Sequence, residues 1–305
     1  MRTPMQDVEG KTAFITGGGS GIGLGMAKVF ANAGMQVVIA DIRQDHLDDA
    51  MAGFSETNFR VHPIRLDVTD RAAFARAADE AERVFGNVHI VCNNAGINMF
   101  APMDECTYDD WDWILGVNLG GVINGVVTFV PRLKASGQGG HIVNTASMAA
   151  FITGPGAGVY TASKFGVRGL SECLRWNLAP HGIGVSVLCP GLVNTNIHES
   201  ETVRPEKFAA HIGPIDQDFM AKLPELHKAG MDPAAVGEKV LAGIRRNDLY
   251  IFPHPEFRAE LSEIFDDVLS ALPQEPVDPR RLAVEEKRRE IVALAKSAVA
   301  KDKMH

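Results

Sequence analysis

Three residue types at fixed spacing carry the first chemical suggestion in this chain of 305 residues. Tyr160 and Lys164 form a Tyr-x-x-x-Lys pattern within VYTASKFGV, and Ser147 closes the upstream segment GHIVNTAS. On a helix, positions i and i+4 share a face, so the phenol and the ammonium can address one place. A neighbouring cation draws a phenol down from its usual pKa of about 10 towards neutrality. A tyrosine tuned in that way can exchange a proton with a substrate oxygen while hydride moves to a nicotinamide. A serine hydroxyl can hydrogen-bond the same oxygen. Tyr-x-x-x-Lys alone recurs by chance. Its weight here comes from the strand-end serine and from a glycine-rich segment near the start of the chain.

That segment is TGGGSGIG at 16–23, which fits G-x-x-x-G-x-G with Gly17, Gly21 and Gly23 at the named positions and Ser20 and Ile22 between them. It follows the strand-like run TAFIT and opens a helix-like run. Missing Cβ atoms let a pyrophosphate approach the backbone, and the helix N-terminus favours the anion. Asp41 then ends the second strand, VVIAD. A carboxylate there accepts hydrogen bonds from adenosine ribose hydroxyls and repels a 2′-phosphate, which favours NAD over NADP. Arg43 is a candidate phosphate ligand that pulls the other way. Asp67-Val68, after the third strand, either meets the adenine or forms a turn.

The elements that must position these residues follow in β-α-β order. Thr12–Thr16, Gln36–Ala40, Val61–Leu66, Val88–Cys92, His141–Thr145 and Gly184–Leu188 read as strands buried on both faces. Gly21–Ala33, Arg71–Phe85, Asp109–Leu133 and Val159–Pro180 read as helices, with Gly34 as a C-cap and Thr69 or Asp70 as an N-cap. The alternation predicts an α/β fold: a single-domain, Rossmann-type, doubly wound parallel sheet over residues 1–272. The irregular stretch of about 192–231 is longer than a compact connection needs and reads as an enlarged substrate loop. A helix from Asp232-Pro233 to about Arg246, a last strand at Leu249–Phe252 and an amphipathic stretch over 256–271 follow. Residues 273–305 read as a C-terminal tail, helical in its charge-rich part, with Leu282, Ile291, Leu294 and Val299 at loosely helical spacing.

Composition excludes other classes. Lys plus Arg is 30 and Asp plus Glu is 38, for a net charge of −8, whereas nucleic-acid binding usually needs a basic surface. The N-terminal residues lack the apolar core of a secretory signal, and no run of consecutive apolar residues is long enough for a membrane span. Cys92, Cys106, Cys173 and Cys189 form no C-x-x-C pair and resemble no zinc site. They read as idle thiols in a reducing cytoplasm, and no metal is expected.

Over roughly residues 8–255 the chain resembles the short-chain dehydrogenase/reductase family. The matching pieces are TGGGSGIG at 16–23, Asp67-Val68, Asn93-Asn94-Ala95-Gly96, Asn118, Ser147, Tyr160, Lys164 and Pro190-Gly191 with Thr195. The resemblance implies a catalytic tetrad of Asn118, Ser147, Tyr160 and Lys164, with Asn118 holding a kink in its helix and a proton-relaying water. It implies that Asn94, Ala95 and Gly96 border the cofactor and that Pro190, Gly191, Val193 and Thr195 flank the nicotinamide amide. Tyr160 and Lys164 also belong to the cofactor site.

Within the family, ADIRQDHLD (40–48), the stretch 107–137, HES (198–200), RPEKF (204–208) and LYIFPHPEFR (249–258) are similar to the NAD-dependent Cα-dehydrogenases of bacterial lignin β-aryl ether catabolism. Those enzymes oxidise a benzylic secondary alcohol to an aryl ketone. The similarity implies a small aromatic alcohol or ketone as substrate. Another bulky alcohol (a steroid or terpene), a 3-oxoacyl substrate, or a non-catalytic NAD-binding regulator are the alternatives. By position Met99, Met148, Phe151, Leu192, Val193 and Ile197, beside Ser147, either line an apolar substrate pocket or serve as ordinary packing. His198 and Arg204 either reach a polar substituent or are solvated at the surface. A homodimer or homotetramer is expected through the helices near 107–133 and 159–180.

Overall fold

The computed structural model describes residues 5–209 and 220–301. Its strands are β1 Thr12–Thr16, β2 Gln36–Asp41, β3 Val61–Arg65, β4 Ile90–Asn93, β5 Gly140–Thr145, β6 Ile183–Leu188 and β7 Tyr250–Ile251. They pair in parallel in the order β3-β2-β1-β4-β5-β6-β7. The helices are α1 Gly21–Asn32, α2 Gln44–Phe54, α3 Arg71–Phe85, α4 Tyr108–Leu115, α5 Gly121–Ser136, α6 Gly158–Leu178, α7 Leu223–Lys228, α8 Pro233–Arg246, α9 Arg258–Ser270 and α10 Pro279–Lys301. Successive strand side chains enter opposite cores. Ala13 and Ile15 pack with Phe30, Val37 and Ile39 under α1, α2 and α8, while Phe14 between them packs with Val38, Phe74 and Phe129 under α3 and α5. Burial on both faces explains why the strands read as unbroken apolar runs.

Local chemistry sets many of the ends. The Asp70 carboxylate accepts the Ala73 N–H at 2.9 Å and starts α3. Gly34, at φ +81°, takes the left-handed conformation after α1. Asp232 caps α8 through the Ala234 and Ala235 N–H groups. The helix expected over 109–133 is two helices joined by a π turn, Gly116–Gly120. The sequence reading missed α2. Only Leu47, Ala50 and Phe54 are buried on it, among acidic residues, and no side chain caps its start.

One membrane expectation needs revision. The run Tyr108–Ser136 is long and apolar enough to cross a membrane by length and composition. In this fold it lies along the sheet, with Val122, Phe129 and Leu133 buried. The 192–231 stretch carries short helical turns at Ile197–Val203 and Glu206–Phe208 and then α7. Residues 210–219, including Pro214, lie outside the described residues. The expected tail helix forms as α10 and touches α6, with Leu282, Ile291 and Leu294 largely exposed. The side chain of Val299 and residues 302–305 lie outside the described residues.

Helices α1 and α8 cross in close backbone contact. A Cβ on Gly25 would stand 2.3 Å from the Pro233 carbonyl oxygen, and one on Gly237 would stand 2.8 Å from the Gly25 oxygen. Both obstacles are backbone, so no rotamer change relieves them. Gly25→Ala is therefore expected to destabilise the fold by about 1–3 kcal/mol. A thermal melt should show a midpoint several degrees lower, and an unchanged midpoint would refute the close crossing.

Candidate active site

All strands point the same way, so their C-terminal ends collect at one edge. The strand order reverses between β1 and β4, and loops there part to leave a crevice. A cleft of about 720 Å³ opens at that place.

The loop after β1 forms part of its wall. Gly17 and Gly21 have φ values of +62° and +49°. A Cβ on Gly17 would lie 2.9 Å from Ala95 Cα, and one on Gly21 would lie 3.0 Å from the Thr195 methyl. Gly17, Ser20, Gly21 and Ile22 line the cleft. Gly23 does not. It packs beneath the loop, where a Cβ would fall 1.9 Å from the Gly17 carbonyl oxygen. Its missing side chain is what lets the first turn of α1 close on the loop.

Asp41 ends β2 at the cleft wall, and its carboxylate accepts the Gly19 N–H and the Arg43 N–H, both at 3.1 Å. The Arg43 guanidinium is already engaged. It pairs with Asp45 and, at 3.0 Å, with Glu199. Asp67 and Val68 also line the cleft, and the Asp67 carboxylate forms a turn by accepting the Thr69 N–H and hydroxyl. The turn reading of Asp67 is thus met, and the pair also stands on the cleft wall. Asn94, Ala95 and Gly96 follow β4 along the wall, with the Asn94 amide donating to the Thr16 carbonyl at 3.1 Å. Pro190, Gly191, Val193 and Thr195 complete that side.

Ser147, Tyr160 and Lys164 meet where β5 ends. The Ser147 hydroxyl receives the Ala149 N–H at 3.1 Å and donates to the Pro190 carbonyl at 3.4 Å, which fixes its position. Lys164 is almost fully buried, and its ammonium donates to the Thr145 carbonyl at 3.1 Å. Asn118 stands behind the cleft wall, fully buried in the π turn. It accepts the Ile97 N–H at 2.9 Å and donates to the Ile97 carbonyl at 3.0 Å and the Ser163 hydroxyl at 3.1 Å. Ser163 in turn donates to the Tyr160 carbonyl at 2.6 Å. Asn118 thus ties its kinked helix to the loop after β4 and to α6.

The protonation states differ from the sequence expectation. Burial raises the Tyr160 phenol above its ordinary value, and hydrogen bonding with Ser147 only pulls it back. Burial lowers the Lys164 ammonium to about 8. The ammonium lies 5.3 Å from the Tyr160 ring centroid and is directed to the Thr145 carbonyl. In the protein alone, loss of water therefore outweighs the attraction that would draw the phenol towards neutrality.

Several substrate candidates stand elsewhere. Leu192, Val193 and Ile197 line the cleft. Met148 and Phe151 do not. They pack with Val122, Val187 and Cys189, and the Arg168 guanidinium covers the Phe151 ring at 3.9 Å. Met99 is buried in a cluster with Trp113 and Ile114 and accepts an Arg204 N–H on its sulfur at 3.3 Å. Arg204 is not a solvated surface residue. Its side chain is 3% exposed, ion-paired with Asp110 at 2.9 Å and with Glu201 at 2.8 Å, and stacked 4.1 Å above Trp113. His198 stacks on His227 instead of reaching the main cleft. Among the residues missed from sequence are Trp113, Val203, Phe208, Leu223, Leu226 and His227, which line the cleft. Only the length of the 192–231 stretch hinted at those after 200. The described residues hold no group of His, Cys, Asp and Glu suited to a metal ion.

Residues 11–205 match the family model for short chain dehydrogenase. The chain is 43% identical over 276 residues to the Cα-dehydrogenase of Sphingobium sp. (strain NBRC 103272 / SYK-6), covering 90% of each chain. Among solved structures it is similar to the apo form of LigO from Sphingobium sp. strain SYK-6, with a TM-score of 0.78 and 46% identity over 93% of this chain and 98% of that one. It is also similar to a short-chain dehydrogenase/reductase from Burkholderia phymatum in complex with NAD, with a TM-score of 0.84 and 34% identity over 90% of this chain and 100% of that one.

The Arg204 knot holds the 197–208 segment against α4. Arg204→Met removes the guanidinium that faces a fully buried carboxylate, a change that costs about 3 kcal/mol or more. Denaturant unfolding should show that loss, and limited proteolysis should cut the segment faster. Unchanged stability would mean that the segment is held by other contacts.

Proposed function

The chain belongs to the short-chain dehydrogenase family, and from that premise we propose that it is an NAD-dependent secondary-alcohol dehydrogenase oxidising the benzylic Cα alcohol of a lignin-derived β-aryl ether to the aryl ketone. The observation that carries the reaction type is the convergence of Ser147, Tyr160 and Lys164 on the cleft that begins at the glycine loop. The likeness to the Sphingobium Cα-dehydrogenase supports the substrate class.

The residues fit a dinucleotide. Cβ atoms are missing where the loop meets Ala95 and Thr195, and Asp41 stands on the wall where an adenosine ribose would need acceptors. Gly17, Ser20, Gly21 and Ile22 would hold the pyrophosphate; Asp67 and Val68 would border the adenine; Pro190, Gly191, Val193 and Thr195 would hold the amide. When bound, oxidised nicotinamide supplies the hydride acceptor and a positive charge. Asp45 and Glu199 neutralise Arg43, so that guanidinium does not wait for a 2′-phosphate.

In alcohol oxidation Tyr160 takes the substrate hydroxyl proton onto its own oxygen. Ser147 hydrogen-bonds the same substrate oxygen and holds it in place. Lys164 supplies the cation that stabilises the phenolate and, from its buried seat, orders the cofactor side of the cleft. Asn118 fixes the π turn beside them. Mixed apolar walls (Leu192, Ile197, Trp113, Phe208) suit an aryl group. We take residues 1–272 as the catalytic unit, 273–305 as an extension, and the cytoplasm as its place of action. A homo-oligomer through α5 and α6 is part of the proposal. It is supported by exposed Ile123 and Val127 on the first and Phe165 on the second.

Three experiments test this reading. Tyr160→Phe should lower turnover by about 10²–10⁴-fold while NADH still binds by fluorescence titration; near-normal turnover removes the assigned acid/base. The same NADH-absorbance assay, run on resolved isomers of a β-aryl ether dimer beside steroid and acyl alcohols, should show preference for the dimer. For the cofactor, Asp41→Ser should narrow the preference for NAD over NADP by about tenfold. Adding Glu199→Gln, which releases one side of Arg43, should narrow it further. Unaltered discrimination in both variants would refute the roles of Asp41 and of the Arg43–Glu199 pair.

A further inference from the structure

Beyond the reacting groups the cleft lining includes the apolar Val203, Phe208, Leu223 and Leu226, the polar Ser200 and Lys207, and His227. His227 Nδ1 lies 3.0 Å from the Val193 carbonyl oxygen. A carbonyl only accepts, so Nδ1 is the donor, and the neutral tautomer with that proton presents Nε2 as an acceptor. No hydrogen bond to Nε2 occurs among the described residues. The ring is held firmly. It is 8% exposed, it stacks on His198 with centroids 5.6 Å apart, and its Val193 anchor is bridged to Met231. An acceptor held in place and largely out of water discriminates. A ligand that covers it without offering a donor leaves it desolvated and unmatched, whereas a ligand with a hydroxyl at that point satisfies it. An aromatic ligand that fits apolar walls and brings one donor is a phenol. A carboxylate brings none.

We propose that His227 Nε2 accepts the hydrogen bond of a phenolic hydroxyl on the substrate's aryl ring, so that the enzyme selects free phenols over the corresponding aryl methyl ethers. The aryl ring rests on the proposed reaction; the acceptor rests on the geometry of His227. His227 is a specificity residue on this account and takes no part in proton transfer.

The test compares 4-propylphenol with 4-propylanisole as ligands of the NADH complex, read by fluorescence. The wild-type protein should bind the phenol about tenfold more tightly, the worth of one such hydrogen bond. His227→Asn places an amide at the Nδ1 position, so it keeps the Val193 contact but withdraws the acceptor, and the preference should vanish. His227→Gln places an amide at the Nε2 position and should restore part of it. Equal binding of the two ligands by the wild type, or a preference that survives in His227→Asn, overturns the proposal. Turnover of a β-aryl ether dimer and its O-methylated form separates this inference from the reaction. If both dimers are oxidised and His227→Asn slows them alike, the phenol contact falls and benzylic oxidation stands. If neither is oxidised while the phenol preference holds in binding, the substrate reading falls and the contact stands.

Discussion

Removing the Lys164 ammonium from water is the constraint around which the active edge of the sheet is built. Burial of an unpaired ammonium costs several kcal/mol, and the group loses its proton unless oxygen atoms replace the lost water. Here the Thr145 carbonyl at the end of β5 is a partner at 3.1 Å, and the ammonium is pushed down to about 8 but not abolished. The seat also needs space. A Cβ on Gly96 would lie 3.4 Å from both Lys164 Nζ and Asn118 Oδ1, so the glycine keeps that side open. Asn118 then has to stand on the far side of the gap. The π turn puts it there, and its bonds to Ile97 and Ser163 lock the arrangement to α6, the helix that carries both Tyr160 and Lys164.

A second polar chain lies deeper and sets the spacing of the same elements. The Asn93 amide donates to the Asn144 side-chain oxygen at 2.8 Å, Asn144 donates to the Ser171 hydroxyl at 3.0 Å, and Ser171 donates to the Val167 carbonyl at 2.7 Å. This chain joins β4, β5 and α6 through an otherwise apolar core. Helix α5 can approach only because Gly125 offers no side chain, since a Cβ there would meet the Asn93 side-chain oxygen at 1.9 Å. Directional bonds in a low-dielectric interior specify relative position more sharply than apolar contact does. The register between Ser147 at the end of β5 and Tyr160 on α6 depends on that sharpness.

What was legible in the sequence follows from how local each constraint is. The glycine loop, the caps at Asp70 and Asp232, and the strand runs are written in a few neighbouring residues, because backbone conformation and two-sided burial restrict residue type on the spot. The Tyr160–Lys164 face is equally local. Met148 and Phe151 follow Ser147 closely, yet they turn into the core, because the helical turn at Met148–Ala150 directs them away from the cleft. Sequence proximity to a reacting group says nothing about that direction. Arg204 looked like a surface charge, since its partners Asp110 and Trp113 are remote in the chain. The pull of burial on the Tyr160 phenol was hidden for a similar reason: adjacency to a lysine is visible in sequence, whereas the burial that opposes it in the protein alone comes from the assembled fold.

The substrate side of the cleft is held by ties of unequal strength. At one end of the 197–208 segment, Glu199 pairs with Arg43, and both side chains keep substantial contact with water. Pairs of that kind contribute about 0–1 kcal/mol and weaken with salt. The next residue, Ser200, accepts the Asn98 N–H on its hydroxyl at 2.9 Å. At the other end, Arg204 is sealed between Asp110, Glu201 and the Trp113 ring, where breaking one ion pair costs several times as much. The segment is thus anchored firmly against α4 and loosely against the loop after β2. Its loose tie touches Arg43, the residue next but one to Asp41, whereas its firm one backs Trp113, and both of these residues line the cleft. The two ties also differ in kind: added salt weakens the water-exposed Arg43–Glu199 pair, whereas the buried Arg204–Asp110 pair is screened much less.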